Sequence, residues 1–439
     1  MISAEVYLWG TRIGVVSQES ITDIPVFSYD DNFLQSKIEV APLTMPLSKE
    51  RYSFPNLVNE SFHSLPGLLA DSLPDKFGNK LLERYLADHG RDLDDISPVE
   101  RLLYVGNRGM GALEFRPQQN YTEIKDDSID LDALVGLASD ILSNRESLHF
   151  SADKMTMEQM INVGTSAGGA RAKAIIAWNK NTNDIRSGQI NAGDGYEYYI
   201  IKFDGVKNNK DKDKKSDGKA YTRIEYAYYL MARAANIEMS DCSLLCENDH
   251  YHFMTKRFDR DDNGIKIHMQ TLGALAHFDF NSPGINSYEQ VSQVMQKLNL
   301  QQSEIEQLYR RMVFNIIAQN KDDHVKNISF LMNKHGVWSL SPAYDITYAN
   351  NPNNRWTSHH QLTMNGKNDN FTIDDFYESA RKMNIPKNRA NKIIQDVIGA
   401  AGNWSTFANN ALVPELETSL IEEKLQEYIT MFNKEQIFI

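Results

Sequence analysis

A polar loop clamped between two apolar elements constrains this chain more than any other feature. The segment Asn320-Lys-Asp-Asp-His-Val-Lys-Asn327 follows Ile305, Leu308, Met312, Val313, Ile316 and Ile317, which recur at helical spacing, and runs directly into the apolar stretch 328–332. Buried elements on both sides hold such a loop in place, so its acids and amides are presented at set positions. Without those flanks the same residues would read equally well as the caps and turns of a surface loop. With them, the spacing suits metal-assisted phosphoryl transfer. That reaction needs a carboxylate at the acceptor hydroxyl, oxygen ligands for Mg²⁺ and a cation on the donor phosphates.

In the protein-kinase catalytic loop an Asp is followed five residues later by a metal-binding Asn, and counting back from Asn327 selects Asp322 as the base. Asp323, one register on, is the alternative. Asp345, after a strand expected at 336–341 and the turn-forming Pro342, stands where a second metal-binding acid is expected. Asn327 and Asp345 are thus the metal ligands of this reading.

At 439 residues the chain has room for two or three domains, and 41% apolar content with 10% aromatics marks it as globular. Cys242 and Cys246 make neither a disulfide framework nor a zinc site. With no secretory signal in the first ten residues, an intracellular, cytoplasmic protein is expected. No apolar run approaches the roughly 20 residues that span a bilayer, so no membrane partner is expected. Net charge is −13, from 46 basic and 59 acidic side chains, which disfavours broad electrostatic binding to nucleic acid. The one basic run, 207–219, interleaves Lys and Asp with Asn, Ser and Gly, lacks apolar residues, and reads as a solvated loop.

Periodicity divides the chain into three parts. Residues 1–117 open with strands at 4–9 and 12–16 joined by a tight turn at Gly10-Thr11, with a helix at 76–87. The acidic, aperiodic stretch 118–130 is the boundary. Residues 131–260 mix helices with strands at 172–178, 196–203, 243–246 and 252–257. Residues 261–439 read as a helical lobe, with helices at 287–298, 303–319, 386–401 and 414–432 and a capping box from Ser303 and Glu306. The expected fold is α+β and bilobed, a mixed α/β lobe with an extra N-terminal subdomain over an all-helical C-terminal lobe.

A second constellation lies in the mixed part. Gly164-Thr-Ser-Ala-Gly-Gly-Ala-Arg-Ala-Lys173 combines small residues, hydroxyls and two cations before a strand, a composition that suits either a flexible turn or a phosphate cradle. It is not a Walker A sequence, since it lacks the Gly-Lys-Ser/Thr ending. Lys202 sits in the apolar strand Tyr198-Tyr-Ile-Ile-Lys-Phe203 and either faces water at an edge or meets a nucleotide phosphate. Glu225, early in a helix at 223–235, is a candidate partner for it.

Taken together, the Gly164–Lys173 loop, Lys202-Phe203, Lys256-Arg-Phe-Asp-Arg260, Asp322-Asp-His-Val-Lys-Asn327 and Tyr344-Asp-Ile346 resemble the HipA family of bacterial serine/threonine kinases, the toxins of toxin–antitoxin pairs. Ala70-Asp-Ser-Leu-Pro-Asp-Lys-Phe-Gly78 and Tyr104-Val-Gly-Asn-Arg-Gly-Met-Gly-Ala-Leu113 resemble that family's first subdomain, so the likeness covers nearly the whole chain. It implies a bilobed kinase-like fold, ATP with Mg²⁺, and phosphorylation of a serine on a protein substrate. By matching position, Asp322 is the base, Asn327 and Asp345 hold the metal, and Lys202 contacts the phosphates. Gly168, Gly169, Ala170 and Lys173 belong to the phosphate loop, and Lys256 and Phe258 to the segment that approaches adenine, largely through backbone atoms. His324 and Lys326 organise the catalytic motif.

Ser166 matches the family's autophosphorylated loop serine, with Thr165 as a neighbour; a phosphate there adds about −1.5 to −2 charge and would repel ATP. Arg171 departs from the family's commonest pattern, where glutamine is expected. The family's partner is a small HipB-like helix-turn-helix antitoxin, through which operator DNA is reached, and its best-known target is glutamyl-tRNA synthetase. Two other classes stay open: a kinase of the same fold with another substrate and no toxicity, and a catalytically silent corepressor bound to a DNA-binding antitoxin.

Overall fold

A computed structural model of the protein describes residues 1–119, 129–142, 164, 171–189, 191–206 and 220–436, without the side chains of 140–142 and 431–436. The chain begins with strands β1 (Ile2–Leu8), β2 (Thr11–Gln18), β3 (Val26–Tyr29) and β4 (Arg51–Tyr52), joined later by β5 (Leu113–Arg116), in the order β4-β3-β2-β1-β5. The β1–β2 turn pairs Leu8 with Thr11 across Trp9 and Gly10, both at positive φ (49° and 80°), the left-handed pair that matches strand twist in a two-residue hairpin. Alternation along β1 buries Ala4, Val6 and Leu8. The helix Pro98–Val105 closes over them; Ser97 accepts from the Glu100 N–H at 3.1 Å, and Pro98 occupies the first turn, where its missing N–H costs nothing.

A second sheet contains β6 (Lys173–Asn179), β7 (Asp184–Ser187), β8 (Glu197–Lys202), β9 (Cys242–Glu247) and β10 (His250–Lys256), antiparallel in the order β7-β6-β8-β10-β9. Ala174, Ile176, Tyr199, Ile201 and Met254 form an apolar core with Leu134, Leu137 and Ala138 of the helix Leu131–Leu142 and with Phe77 and Leu81 of the helix Lys76–Asp88. The helix Tyr221–Ala234 packs along β9 and β10.

The expectation of an all-helical C-terminal part needs correction. Besides the helices Tyr288–Lys297, Gln302–Ile317, Ile373–Lys382, Lys387–Ala401, Trp404–Asn410 and Glu415–Gln436, it contains a three-stranded sheet, β11 (His268–Thr271), β12 (Ser329–Met332) and β13 (Trp338–Leu340), in that order. Runs of three or four residues are too short to bury a helical face, whereas pairing satisfies their backbone groups at once. The capping box also shifts. At Gln302–Ile317 the Gln301 N–H donates to Glu304 Oε2 at 2.8 Å, while Glu306 accepts instead from Arg389 Nε at 2.8 Å. Among the described residues no helix is long and apolar enough to cross a membrane.

The three parts lock through buried polar contacts. Asp259, fully buried in the segment between β10 and β11, accepts from Arg257 Nε and Nη2 at 2.8 Å each, from Arg260 Nη1 at 2.9 Å and from the Gly111 N–H at 2.7 Å. Burial alone would raise its pKa, but the two guanidiniums carry it well below the usual carboxylate range; burial lowers Arg260 to about 10. Elsewhere the Gly67 N–H donates to His277 Nε2 at 3.0 Å, and a Cβ on Gly67 would lie 2.1 Å from the Ala274 carbonyl oxygen, so only glycine permits this approach.

Asp259→Ala should leave two buried guanidiniums uncompensated and lower stability by about 3–5 kcal/mol, read by denaturant unfolding; a loss below about 1 kcal/mol would contradict the assignment. Burial lowers the His277 pKa from 6.5 to about 4, so the unfolded chain takes up a proton in this window and the folded chain does not. Its contribution is complete above about pH 6.5 and lost as pH falls toward about 4. In His277→Gln, which retains an acceptor for Gly67, the slope of stability against pH should flatten across that window.

Candidate active site

Lys173 and Lys202 are register partners on the adjacent strands β6 and β8, so two ammonium-bearing side chains leave the same face of the sheet. Cross-strand partners have Cβ atoms about 5 Å apart, and at an effective dielectric of ~20 unit like charges at that spacing repel by roughly 3 kcal/mol. The repulsion is offset by acids from three other places in the chain. Lys202 Nζ lies 2.6 Å from Glu225 Oε1, on the first turns of the helix Tyr221–Ala234, and also donates to Asp345 Oδ1. Lys173 Nζ lies 3.8 Å from Asp75 Oδ2. Asp75 is held as the N-cap of Lys76–Asp88, accepting from the Gly78 N–H at 2.7 Å.

Protonation follows from these neighbours. Burial alone would lower the Lys202 pKa, yet Asp345 and Glu225 carry it above its ordinary value. Lys173 moves down, because burial outweighs Asp75 and the facing Lys202 adds to the effect. Glu225, with 2% of its side chain exposed, is raised by burial. Asp345 would be raised by burial but is carried well below the carboxylate range by Lys202 and Lys173. Burial raises Asp75 to about 6. Asp345 also sits at φ 55°, a left-handed conformation that Asp tolerates better than most residues.

The polar loop lies between the helix Gln302–Ile317 and β12 as the sequence pattern requires. Its neighbouring acids differ sharply. Asp323 is 3% exposed and saturated: it accepts from Tyr288 Oη at 2.8 Å and the Gln361 N–H at 2.8 Å, with His360 Nδ1 at 3.0 Å. Asp322 is half-buried and accepts from Gln361 Nε2 at 3.1 Å. Asn327 Nδ2 donates to the Asp322 carbonyl at 2.9 Å, which assigns its amide oxygen as the atom available to a ligand. His324 Nδ1 accepts from the Lys326 N–H at 3.3 Å, and Lys326 Nζ stands 4.3 Å over the Phe280 ring. Tyr344, next to Asp345, donates to the Lys326 carbonyl at 2.7 Å, tying the two motifs together.

In the segment between β10 and β11, the Phe258 ring meets Tyr344 with centroids 5.5 Å apart. Lys256 leaves β10 on the face opposite Lys202, since Phe253 is the register partner of Lys202, and its ammonium pairs with Glu197 at 3.0 Å and Asp262 at 3.2 Å. Arg171 lies over the Tyr221 ring at 4.6 Å. Thr165, Ser166, Gly168, Gly169 and Ala170, and the run 207–219, lie outside the described residues.

The arrangement presents two cations beside oxygen-bearing side chains from separate parts of the chain, a setting for binding a multiply charged anion. Among the described residues no three His, Cys, Asp or Glu side chains form a metal-holding group. Sequence reasoning missed Asp75, Gln361 and His360 at this site. Asp75 carried a readable signal, its N-cap position inside Leu73-Pro-Asp-Lys-Phe-Gly78, but its pairing with Lys173 spans 98 positions and has no local signature.

Comparison with known proteins adds family and fold. The sequence model described as HipA-like C-terminal domain matches residues 165–404, and that described as HipA N-terminal domain matches 4–116. A solved Shewanella oneidensis structure of HipA with HipB and its operator DNA is 14% identical and superposes with a TM-score of 0.69 over 98% of this chain and 97% of that one, so the two share the α+β, bilobed fold. A Helicobacter pylori proinflammatory kinase, CtkA, is 11% identical over 54% of this chain and 88% of its own, with a TM-score of 0.34. A Haemophilus influenzae protein named putative kinase is 29% identical over 110 residues, 23% of this chain; the match spans 32% of that relative's length.

The contrast between the paired acids is testable without knowing the reaction. Asp323→Ala should leave buried donors unsatisfied at roughly 1–3 kcal/mol each, a total of about 3 kcal/mol or more, whereas Asp322→Ala should stay within about 1 kcal/mol of the wild type. Denaturant titration of both variants reads the difference, and equal losses would refute the division of roles.

Proposed function

Because this chain belongs to the HipA family, with family domains matched across 4–116 and 165–404, we propose that it is a protein serine/threonine kinase of a toxin–antitoxin pair, using ATP with Mg²⁺. The observation that carries the reading is the Lys202–Glu225–Asp345 cluster, a buried ammonium oriented by a helix glutamate beside an acid from the far lobe. That is the arrangement in which a kinase lysine meets donor phosphates.

In this reading Lys202 and Lys173 bind the donor phosphates, and Gly168, Gly169 and Ala170 bring backbone N–H groups to them. Phe258 and the backbone at Lys256 border adenine. The donor set suits Mg²⁺: Asn327 Oδ1 and an Asp345 carboxylate oxygen are hard ligands, and this ion takes its remaining ligands from phosphate and water. When bound, the metal neutralises charge on the transferring phosphoryl group. Asp322 accepts the proton of the acceptor hydroxyl as that oxygen bonds to the γ-phosphorus and the bond to the β,γ-bridging oxygen breaks, releasing ADP. His324 and Lys326 hold the loop in shape.

The acceptor is a serine of a cellular protein, an aminoacyl-tRNA synthetase such as glutamyl-tRNA synthetase being the first candidate. Ser166, or its neighbour Thr165, is the autophosphorylation site. The partner is a HipB-like antitoxin in the cytoplasm, and DNA is reached through it, in keeping with a net charge of −13 that disfavours direct binding.

The test is incubation with γ-labelled ATP, Mg²⁺ and a bacterial cell extract. A labelled protein band should form with the wild type and fall by about 10²–10⁴-fold with Asp322→Ala. Equal labelling by both would refute the assignment of the base.

A further inference from the structure

We propose that Gln361 is a positioning residue for phosphoryl transfer, its side-chain amide setting the orientation of the Asp322 carboxylate. The inference rests on the reading of Asp322 as the base. Gln361 Nε2 donates to Asp322 Oδ1 at 3.1 Å and to the Trp356 carbonyl at 3.0 Å. Both partners accept only, so the amide has one possible orientation: reversed, it would set its own oxygen against a carboxylate and a carbonyl. The residue is 4% exposed, which keeps water from competing for these bonds.

Its backbone is pinned independently. The Gln361 N–H donates to Asp323 Oδ1 at 2.8 Å, and His360 Nδ1 lies 3.0 Å from Asp323 Oδ2. One residue therefore grips both acids of the loop, the buried one through its main chain and the half-buried one through its side chain. Meanwhile Gln361 Oε1 is buried without a hydrogen-bond partner among the described residues. An unpaired buried acceptor is unfavourable, so the placement of this side chain does not serve its own satisfaction. It serves the contact with Asp322, which arrives already oriented before any substrate binds.

The experiment measures initial rates of label transfer from γ-labelled ATP to protein in a bacterial extract, against ATP concentration. Gln361→Met, nearly isosteric but without the donor, should lower apparent kcat by about 10- to 100-fold and leave the apparent KM for ATP within about twofold. Gln361→Glu, which turns an acceptor toward the carboxylate, should fall at least as far, while Gln361→Met, which buries no charge, should unfold near the wild-type temperature. In an Asp322→Asn background, Gln361→Met should change the residual rate by less than about twofold, since the group it orients is gone. A wild-type kcat in Gln361→Met, or an equal drop in both backgrounds, overturns the proposal. Wild-type activity in Asp322→Asn itself overturns the assignment of the base instead, so the two failures are distinct.

Discussion

Two lysines forced side by side by strand register, Lys173 and Lys202, set the terms for the rest of the molecule. A sheet can bury two ammonium groups on one face only if carboxylates reach that face from elsewhere. Here they come from the N-cap of the helix Lys76–Asp88, the helix after β8 and the segment after β13. The charge requirement therefore draws three distant stretches to one point. An anion of several negative charges is the ligand class that such a point can exchange for its own acids.

Buried charge is used in two ways in this fold. Asp259 and Asp323 are surrounded by donors and fully engaged, and they act as fasteners: one joins the inter-lobe segment to the N-terminal subdomain, the other the polar loop to residues 360–361. Asp322, Asn327 and Asp345 lie beside them but are only partly buried. The neighbouring positions 322 and 323 show the principle most plainly, since identical side chains one residue apart meet different environments, one half-buried and one buried.

Much of this was legible beforehand. The helices at 76–87, 287–298 and 386–401 and the strands at 172–178, 196–203, 243–246 and 252–257 lie within a few residues of their expected bounds, because each carries strong periodicity or alternation, whereas β7 was not expected. The pairing of Lys202 with Glu225 was a candidate from the kinase pattern in which a helix acid positions the lysine, and the two side chains do meet. Of the small sheet only β13 was anticipated, as the strand expected at 336–341; β11 and β12 were not, since both are short and lie far apart in the chain. The capping box was misplaced by two residues, because Ser303 and Glu306 fit the pattern as well as Gln301 and Glu304, and only the chain's entry direction separates them.

By itself, the amino-acid order determined which residues are candidates to carry chemistry, where the strongly periodic helices and strands lie, and which family the chain resembles, because motif spacing and periodicity are properties of neighbours along the backbone. Only the tertiary structure decided that Asp323 is a fastener, that Asp75 reaches Lys173, that Lys256 faces away from Lys202 and that Gln361 holds Asp322. Those outcomes depend on burial and on contacts between residues tens to hundreds of positions apart. The free energy of a charge is set by what surrounds it in space, and nothing along the chain encodes that locally.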